Sequence, residues 1–351
     1  MELLKAVALF SLSFLSVLWV TSFTSPRSAA VLRKLYLFTY GFLTMLFSTD
    51  KRWSKPRLDP EVVKDTKPAD KKLLVFIRHG ESDWNEVFNR GFGPTFFVRL
   101  VKAIYREMLL LVTSDSVFID SSLSPLGVAQ ARDLLSFLDQ PATPADNADL
   151  HALLRGENSV TSSVVVSSNL RRALATAAIG LQPRLKETKE RVLISSDLQE
   201  ISFNLDANAL APPLEVPDLH AIAPEMWASF QPSELFDPGL NSGNKPIFGN
   251  GLQRMHNFCE FVFSREEDAV IAVGHSLYFR SFFRTFLPFG SDHEAKRRKM
   301  ANAGQHLCCL RRLRQVGAAA GLRAGGSDTP LRRRLPPPRL RQYLAALLGR
   351  S

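Results

Sequence analysis

The sequence is short of cysteine throughout and short of acidic residues near its C-terminus. Its 351 residues contain three cysteines. Cys259, Cys308 and Cys309 are too few for a disulfide scaffold and lack the spacing of a zinc site. Residues 296–351 contain 14 Lys and Arg against one acid, whereas residues 1–295 contain 30 basic and 33 acidic residues. The net charge of +10 therefore belongs to one end of the chain, and no nucleic-acid partner is expected.

Phenylalanine is missing from the same end of the chain. The sequence has 25 Phe, none of them in residues 311–351, where Ala, Gly, Arg, Leu and Pro make up 33 of the 41 residues. A segment of this composition has too little large apolar surface to form a core, so residues 311–351 are predicted to be a disordered basic tail. The chain as a whole is 45% hydrophobic, which excludes a wholly disordered protein.

The N-terminal region, residues 1–50, is predicted to be a hydrophobic anchor or targeting segment. Residues 6–23 carry no charge and are just long enough to cross a membrane as a helix. A second uncharged run, residues 35–49, is shorter and is predicted to be an interfacial or re-entrant piece. An uncleaved single-pass anchor is favoured, with a cleaved signal or transit peptide and a buried helix as alternatives. The positive charges that follow the first run are Arg27, Arg33 and Lys34, and they predict that the domain after the anchor is cytosolic.

Residues 51–72 are charged and proline-containing and are predicted to be a linker to a folded domain at residues 73–310. Short apolar runs alternate there with helical patterns, which predicts an α/β fold with a central, mostly parallel sheet flanked by helices. The predicted strands are residues 73–77, 164–166, 192–194 and 269–273. Two insertions, near residues 92–118 and 139–160, are predicted to contain an amphipathic helix and a polar loop, respectively.

Histidines and arginines follow three of the predicted strands directly. Arg78 and His79 follow the first strand, Arg171 and Arg172 follow the strand at 164–166, and His275 follows the strand at 269–273. Ligands of open α/β sheets gather beyond the carboxyl ends of the strands. A set of guanidinium and imidazole groups at that edge suits the binding of a phosphoryl group and its transfer to a histidine nitrogen.

The segment from Arg78 to Asn85, Arg-His-Gly-Glu-Ser-Asp-Trp-Asn, resembles the signature of the histidine phosphatase superfamily, the phosphoglycerate mutase-like proteins. Residues 170–176 look like its second arginine motif, and residues 274–276, Gly-His-Ser, look like its second histidine motif. This resemblance implies that His79 is the nucleophile that forms phosphohistidine. It implies that Arg78, Asn85, Arg172, His275 and Ser276 bind the phosphoryl group, while Arg171 is expected to be a solvated first-turn residue.

The resemblance also implies a general acid in a Leu-x-Glu context, which Glu200 fits, with Glu187, Glu190 and Asp206 as alternatives. The arginines and His275 already supply positive charge, so no metal and no cofactor are expected. Two departures from the mutase pattern favour hydrolysis over phosphoryl interchange. The first motif is not followed by Gly-Trp-x-Asp, and no tyrosine- and arginine-rich segment follows Glu200.

The predicted function is therefore a metal-independent phosphatase that hydrolyses phosphomonoesters through phosphohistidine. A phosphoglycerate mutase-type transferase and a weakly active, membrane-bound phospho-binding scaffold are the alternatives. The substrate class, whether a small molecule, a lipid or a protein, stays open at this point, and so does the oligomeric state. Residues 6–23 are expected to bind a membrane.

Overall fold

The computed structural model describes residues 1–53, 68–142, 148–157, 161–222, 224, 231–287, 294–313 and 343–347. Two long helices come first, α1 (Glu2–Ser22) and α2 (Pro26–Phe47). The strands are β1 (Pro68–Arg78), β2 (Ser163–Ser168), β3 (Val192–Ser195), β4 (Phe236–Leu240), β5 (Ala269–Gly274), β6 (Gln305–Leu313) and β7 (Tyr343–Leu347). The other α-helices are α3 (Asp83–Phe88), α4 (Pro94–Leu109), α5 (Pro125–Asp139), α6 (Ala148–Arg155), α7 (Arg171–Gly180), α8 (Gln182–Thr188), α9 (Pro232–Leu235), α10 (Gly251–Ser264), α11 (Ser276–Phe286) and α12 (Glu294–Arg297).

One sheet with strand order β4-β3-β2-β5-β1-β6-β7 organises the chain. The five strands from β4 to β1 run parallel. At the other edge, β6 pairs antiparallel with β1, and β7 pairs antiparallel with β6. The predicted α/β fold with a central, mostly parallel sheet is thus confirmed. The predicted strands are β1, β2, β3 and β5, while β4, β6 and β7 were not predicted.

Both faces of the sheet are covered, which explains why the strands read as continuous apolar runs. In β1, Val75 and Ile77 face a cluster completed by α5, α6 and α7. Leu74 and Phe76 face the opposite cluster, which contains the aromatic residues of α10 and α11. All four side chains are fully buried.

The insertions differ in how well they follow the prediction. The amphipathic helix predicted near residues 92–118 is α4. The prediction of a polar loop near residues 139–160 is wrong for residues 148–155, which form α6. Leu150, Leu153 and Leu154 lie three and four positions apart and pack into the core, which is the spacing of one helical face.

Strand β1 begins at Pro68, so residues 68–72 are strand rather than linker. Their backbones pair with β6, whose register matches Lys72 with Leu310 and Asp70 with Arg312. Residues 54–67 of the predicted linker lie outside the described residues. In the predicted disordered tail, residues 311–313 complete β6 and residues 343–347 form β7, held by antiparallel backbone pairing to β6. The rest of the tail also lies outside the described residues, and there disorder stays a prediction.

The two N-terminal helices have different surroundings. Both are long and apolar enough to cross a membrane, but a signal sequence meets the same test. Helix α1 has none of its apolar window buried, whereas α2 packs one side on the α/β domain. A Cβ atom at Gly41 would lie 2.4 Å from the Leu205 side chain, so the two surfaces meet closely. Residues 35–47 of the predicted interfacial or re-entrant piece therefore belong to a longer helix that is docked on protein.

Candidate active site

The candidate site lies at the carboxyl ends of three neighbouring parallel strands. In the sheet, β5 lies between β2 and β1, and Arg78 pairs in register with Gly274. The residues that follow these strands, His79 after β1 and His275 after β5, therefore emerge side by side. Their ring centroids are 5.0 Å apart. Helix α7, which carries Arg172, begins three residues after the end of β2.

His79 is held in one tautomer by its own turn. Its Nδ1 lies within hydrogen-bond distance of the carbonyl oxygen of Gly80. A carbonyl can only accept, so Nδ1 carries the proton and Nε2 keeps its lone pair in the neutral ring. Burial lowers the pKa of His79 well below its usual value, and the charges of Arg172 and Arg78 lower it further. The ring is therefore neutral near pH 7, with the lone pair of Nε2 unprotonated.

His275 lies behind His79 and is fully buried. Its Nε2 is 2.8 Å from the hydroxyl oxygen of Ser168, at the end of β2, and its Nδ1 has no partner among the described residues. Burial, followed by the charge of Arg172, lowers the pKa of His275 well below its usual value. A neutral His275 whose Nε2 accepts the Ser168 proton would carry its own proton on Nδ1.

The two arginines are held by backbone carbonyls that leave some donors free. Arg172 is 2% exposed, donates from Nη1 to the carbonyl of Asp206 at 2.7 Å, and lies 3.4 Å from the Asp206 carboxylate. Arg78 donates from Nη1 to the carbonyl of Met300. The Nε atoms of both arginines are buried without a partner among the described residues. Each guanidinium therefore keeps a donor for an anion.

Arg171, expected to be solvated, is also buried, and that prediction is wrong. It donates to the carbonyls of Asp120 and Ser116 and pairs with the carboxylate of Asp115. Helix α7 turns this arginine away from Arg172 and into the loop that precedes α5. Arg171 thus fastens that loop and does not enter the site.

Two carboxylates lie near the arginines. One oxygen of Glu200 accepts from the backbone N–H groups of Ile201 and Tyr278, both at 2.9 Å. Tyr278 belongs to the first turn of α11, where unpaired N–H groups favour a carboxylate. Burial raises the pKa of Asp206 to about 6, opposed by Arg172 and reinforced by Glu200.

These groups surround a cavity of about 100 Å³. Six predicted residues line it: Arg78, His79, Asn85, Arg172, Glu200 and Ser276. The seventh, His275, is not part of the lining and reaches the site through its contact with His79. The alternatives Glu187 and Glu190 are not in the lining either, because Glu187 is exposed on α8 and Glu190 pairs with Arg184.

Sequence comparison assigns the family. A sequence profile of the histidine phosphatase superfamily (branch 1) matches residues 138–316, slightly more than half of the chain. The chain belongs to the histidine phosphatase superfamily. The match includes Arg172, Glu200, His275 and Ser276, while the segment from Arg78 to Asn85 precedes it. No curated protein sequence matches the chain significantly.

Solved structures similar to this chain include phosphatases, at low identity. Mycobacterial hydrolase 1 is 18% identical, with a TM-score of 0.34 over 72% of this chain and 100% of that one. The mycobacterial glucosyl-3-phosphoglycerate phosphatase complexed with VO3 is 19% identical, with a TM-score of 0.34 over 69% and 96%. A putative alpha-ribazole-5'-P phosphatase from Escherichia coli is 15% identical, with a TM-score of 0.33 over 72% and 100%.

Sequence reasoning missed several residues of the histidine phosphatase site. Ser168 ends β2, two residues beyond the predicted strand at 164–166, and its place beside His275 depends on the strand order, which was not predicted. Of the others, Trp84 lies on α3, Leu277 on α11 and Asp206, considered only as an alternative acid, on a short 3-10 helix at residues 205–207. The remaining four lie on loops with no periodic pattern. The additional lining residues are Trp84, Asn89, Ser202, Asn204, Asp206, Leu277 and Lys299. A larger cavity of about 760 Å³ shares Arg78, Asn85, Asn89 and Lys299 with this lining, so it adjoins the site.

Two glycines allow the first motif to lie against α5. A Cβ atom at Gly80 would be 2.4 Å from the carbonyl oxygen of Gly127, and one at Gly127 would be 1.9 Å from the carbonyl oxygen of Glu81. The Gly80 N–H donates to the Thr176 hydroxyl of α7 at 3.1 Å. The backbone around His79 is thereby held between α5 and α7. In the described part of the chain, no group of three His, Cys, Asp or Glu is placed to hold a metal.

Proposed function

We propose that this histidine phosphatase hydrolyses phosphomonoesters with His79 as its nucleophile and Glu200 as its general acid and base. The observation that carries the proposal is the fixed tautomer of His79. The Gly80 carbonyl accepts from Nδ1, burial keeps the ring neutral, and the ring lines a cavity that it shares with Arg78, Arg172 and Glu200. The substrate class that the family implies is a phosphorylated small molecule.

In the first step, Nε2 of His79 attacks phosphorus and the bond from phosphorus to the leaving oxygen breaks. Arg78 and Arg172 hold the phosphoryl oxygens, assisted by Asn85, Ser276 and the Nδ1 proton of His275. Protonated Glu200 gives its proton to the leaving oxygen, so that an alcohol departs. The products are phosphohistidine on His79, a Glu200 carboxylate and the free alcohol.

In the second step, the Glu200 carboxylate takes a proton from water and the resulting hydroxide attacks phosphorus. The bond from phosphorus to Nε2 breaks, inorganic phosphate leaves, and Glu200 is protonated again. The arginines stabilise the charge on the phosphoryl oxygens in both steps, and a fixed donor of this kind is commonly worth a factor of about 100 to 1,000 in rate.

The test is hydrolysis of para-nitrophenyl phosphate by the full-length protein in excess EDTA. We expect phosphate release by the wild type and a rate below about a thousandth of it for His79→Ala. Brief incubation with radiolabelled phosphate ester should label the wild type at His79 with an acid-labile phosphate. Activity that disappears with EDTA, or that survives His79→Ala, would refute the proposal.

The same experiment separates the two alternatives. A mutase would exchange phosphate between phosphoglycerates without net release of inorganic phosphate. A phospho-binding scaffold would bind phosphate or vanadate without forming phosphohistidine at a useful rate. Phosphate release together with labelled His79 therefore excludes both.

We also propose that α1 anchors this enzyme to a membrane. The helix presents apolar side chains on every side, including exposed Phe10, Phe14 and Trp19, and none of its apolar window is covered by protein. Helix α4 presents a further exposed apolar surface, with Phe97, Val101 and Ile104 among its residues.

A further inference from the structure

A fully buried aspartate of the N-terminal region lies beside the loop that carries Glu200. Asp50 follows the end of α2 by three residues and is 0% exposed. Its carboxylate accepts from Nζ of Lys245 at 2.8 Å and from Nη2 of Arg254 at 2.8 and 2.9 Å. Lys245 is also almost fully buried, so the carboxylate and the ammonium have little water to stabilise them and depend on each other.

The two cations held by Asp50 also hold the backbone around Glu200. Lys245 donates from Nζ to the carbonyl of Glu200 at 2.5 Å and to the carbonyl of Ser202 at 2.7 Å. Arg254 donates from Nη1 to the carbonyl of Gln199. Three carbonyls within four residues are thus fixed by cations whose charge Asp50 balances.

The chain on both sides of Asp50 is attached to the same part of the domain. Tyr40 of α2 donates from its hydroxyl to the carbonyl of Lys245 at 2.6 Å. Thr49 donates from its N–H to the carbonyl of Ile247 at 3.1 Å, and the N–H of Gly251 donates to the carbonyl of Asp50 at 3.2 Å. Asp50 is therefore held in place by backbone contacts as well as by its carboxylate.

Removal of the Asp50 charge would leave the two cations facing each other. Burial lowers the pKa of Lys245 to about 8, and Asp50 opposes this effect while Arg254 adds to it. Without Asp50, the pKa of Lys245 falls further. The buried Lys245 ammonium and Arg254 guanidinium then repel each other with no carboxylate to balance them, which displaces the groups that hold the carbonyls of Gln199, Glu200 and Ser202.

We infer that Asp50 is a positioning residue for Glu200. It acts through Lys245 and Arg254, which together hold the backbone that places the Glu200 carboxyl at the leaving oxygen. The N-terminal region, beyond anchoring the enzyme, would thus complete its active site. This inference rests on the proposed function, because it concerns the acid of that reaction.

The leaving group of the substrate provides the test. An alkyl phosphate such as glycerol 2-phosphate needs a proton on its leaving oxygen, whereas para-nitrophenyl phosphate has a stable leaving anion and needs little help. In the full-length protein, Asp50→Asn should lower kcat/KM for glycerol 2-phosphate at least about tenfold more than for para-nitrophenyl phosphate, since general acid catalysis supplies about 100-fold or more. KM for the aryl substrate should stay near the wild-type value, because His79 and the arginines are untouched.

Glu190→Gln is the matched control, because it also removes a carboxylate from a buried arginine, Arg184, but at a distance from the Glu200 loop. It should leave the ratio of the two kcat/KM values unchanged. An equal loss on both substrates in Asp50→Asn would overturn the inference. If Asp50→Asn does not fold, Asp50→Glu decides, since it keeps the charge but displaces both cations, and an unchanged ratio there would also overturn it. A wild type inactive on both substrates would instead refute the proposed function.

Discussion

At the residue scale, the second carboxylate of the site has a consequence for stability. The pKa of Asp206 is raised to about 6 by burial, against 3.8 for an ordinary aspartate. Between these two pH values the folded state keeps a proton on Asp206 that the unfolded state has lost. The folded protein then binds more protons, so the free energy of unfolding contributed by Asp206 falls as pH rises from about 4 to 6.

Asp206→Asn should remove this dependence. One proton and a shift of about two pKa units correspond to at most about 3 kcal/mol. The difference in free energy of unfolding between variant and wild type should therefore change by no more than this amount between low and high pH. Urea unfolding of both proteins at pH 4 and pH 6.5 measures it. The asparagine should gain in relative stability at the higher pH, and a constant difference would contradict the raised pKa.

The residues that could be predicted are those that follow a strand directly. Arg78, His79 and His275 follow apolar runs, so the strand pattern alone places them at one edge of the sheet. Asp50 could not be found in this way, since its partners Lys245 and Arg254 lie 195 and 204 residues away and no local pattern connects them. Buried ion pairs between distant segments become visible only when the fold is known.

At the element scale, the first turn of α5 supports the motif around His79. A Cβ atom at Gly127 would overlap the carbonyl oxygen of Glu81, so Gly127→Ala has to push α5 away from residues 80–81. We expect a loss of about 1–3 kcal/mol in stability from overpacking, together with a lower kcat on para-nitrophenyl phosphate. Urea unfolding and steady-state kinetics measure the two effects.

Gly93→Ala provides the control for Gly127→Ala. Gly93 precedes the first turn of α4, and a Cβ atom there would meet nothing within 4 Å. The same substitution at this position should leave kcat near its wild-type value and lower stability by no more than about 1 kcal/mol, because a helix N-cap prefers Gly to Ala. If Gly127→Ala behaved in the same way, the close contact between α5 and the first motif would not matter to the site.

The strands missed by sequence reasoning lie at or next to the edges of the sheet. Strand β4 has the sequence Phe-Asp-Pro-Gly-Leu, and proline and glycine normally argue against a strand. It is an edge strand, where proline is tolerated because one side of its backbone has no partner in the sheet. Strand β6 has an apolar run of four residues, 307–310, but Gln, His and Arg residues flank it, and the strand forms through backbone pairing with β1.

At the scale of the whole molecule, the N-terminal region divides into two parts with separate roles. Lys34 is buried and donates to the carbonyl of Asp115, and Arg33 donates to the carbonyl of Leu210. These two charges dock α2 on the domain, so they are not free to act as topological signals. Lys5 and Arg27 then flank α1 with equal charge, and the cytosolic orientation stays a prediction with a weaker basis.

Deletion of residues 2–22 tests this division. None of the apolar window of α1 is buried, and α1 supplies no residue to the Asp50 cluster. The shortened protein should therefore keep its kcat on para-nitrophenyl phosphate within about twofold, a much smaller change than the loss of a catalytic donor would cause. The full-length protein should remain with membranes after a carbonate wash, whereas the deletion variant should not. N-terminal sequencing of the mature full-length protein supplies the control, because an anchor keeps residues 2–22 and a signal peptide loses them. A mature chain that begins beyond Ser22 and is released by carbonate would refute the anchor, while the contacts of α2 with the domain would still hold Asp50 in place.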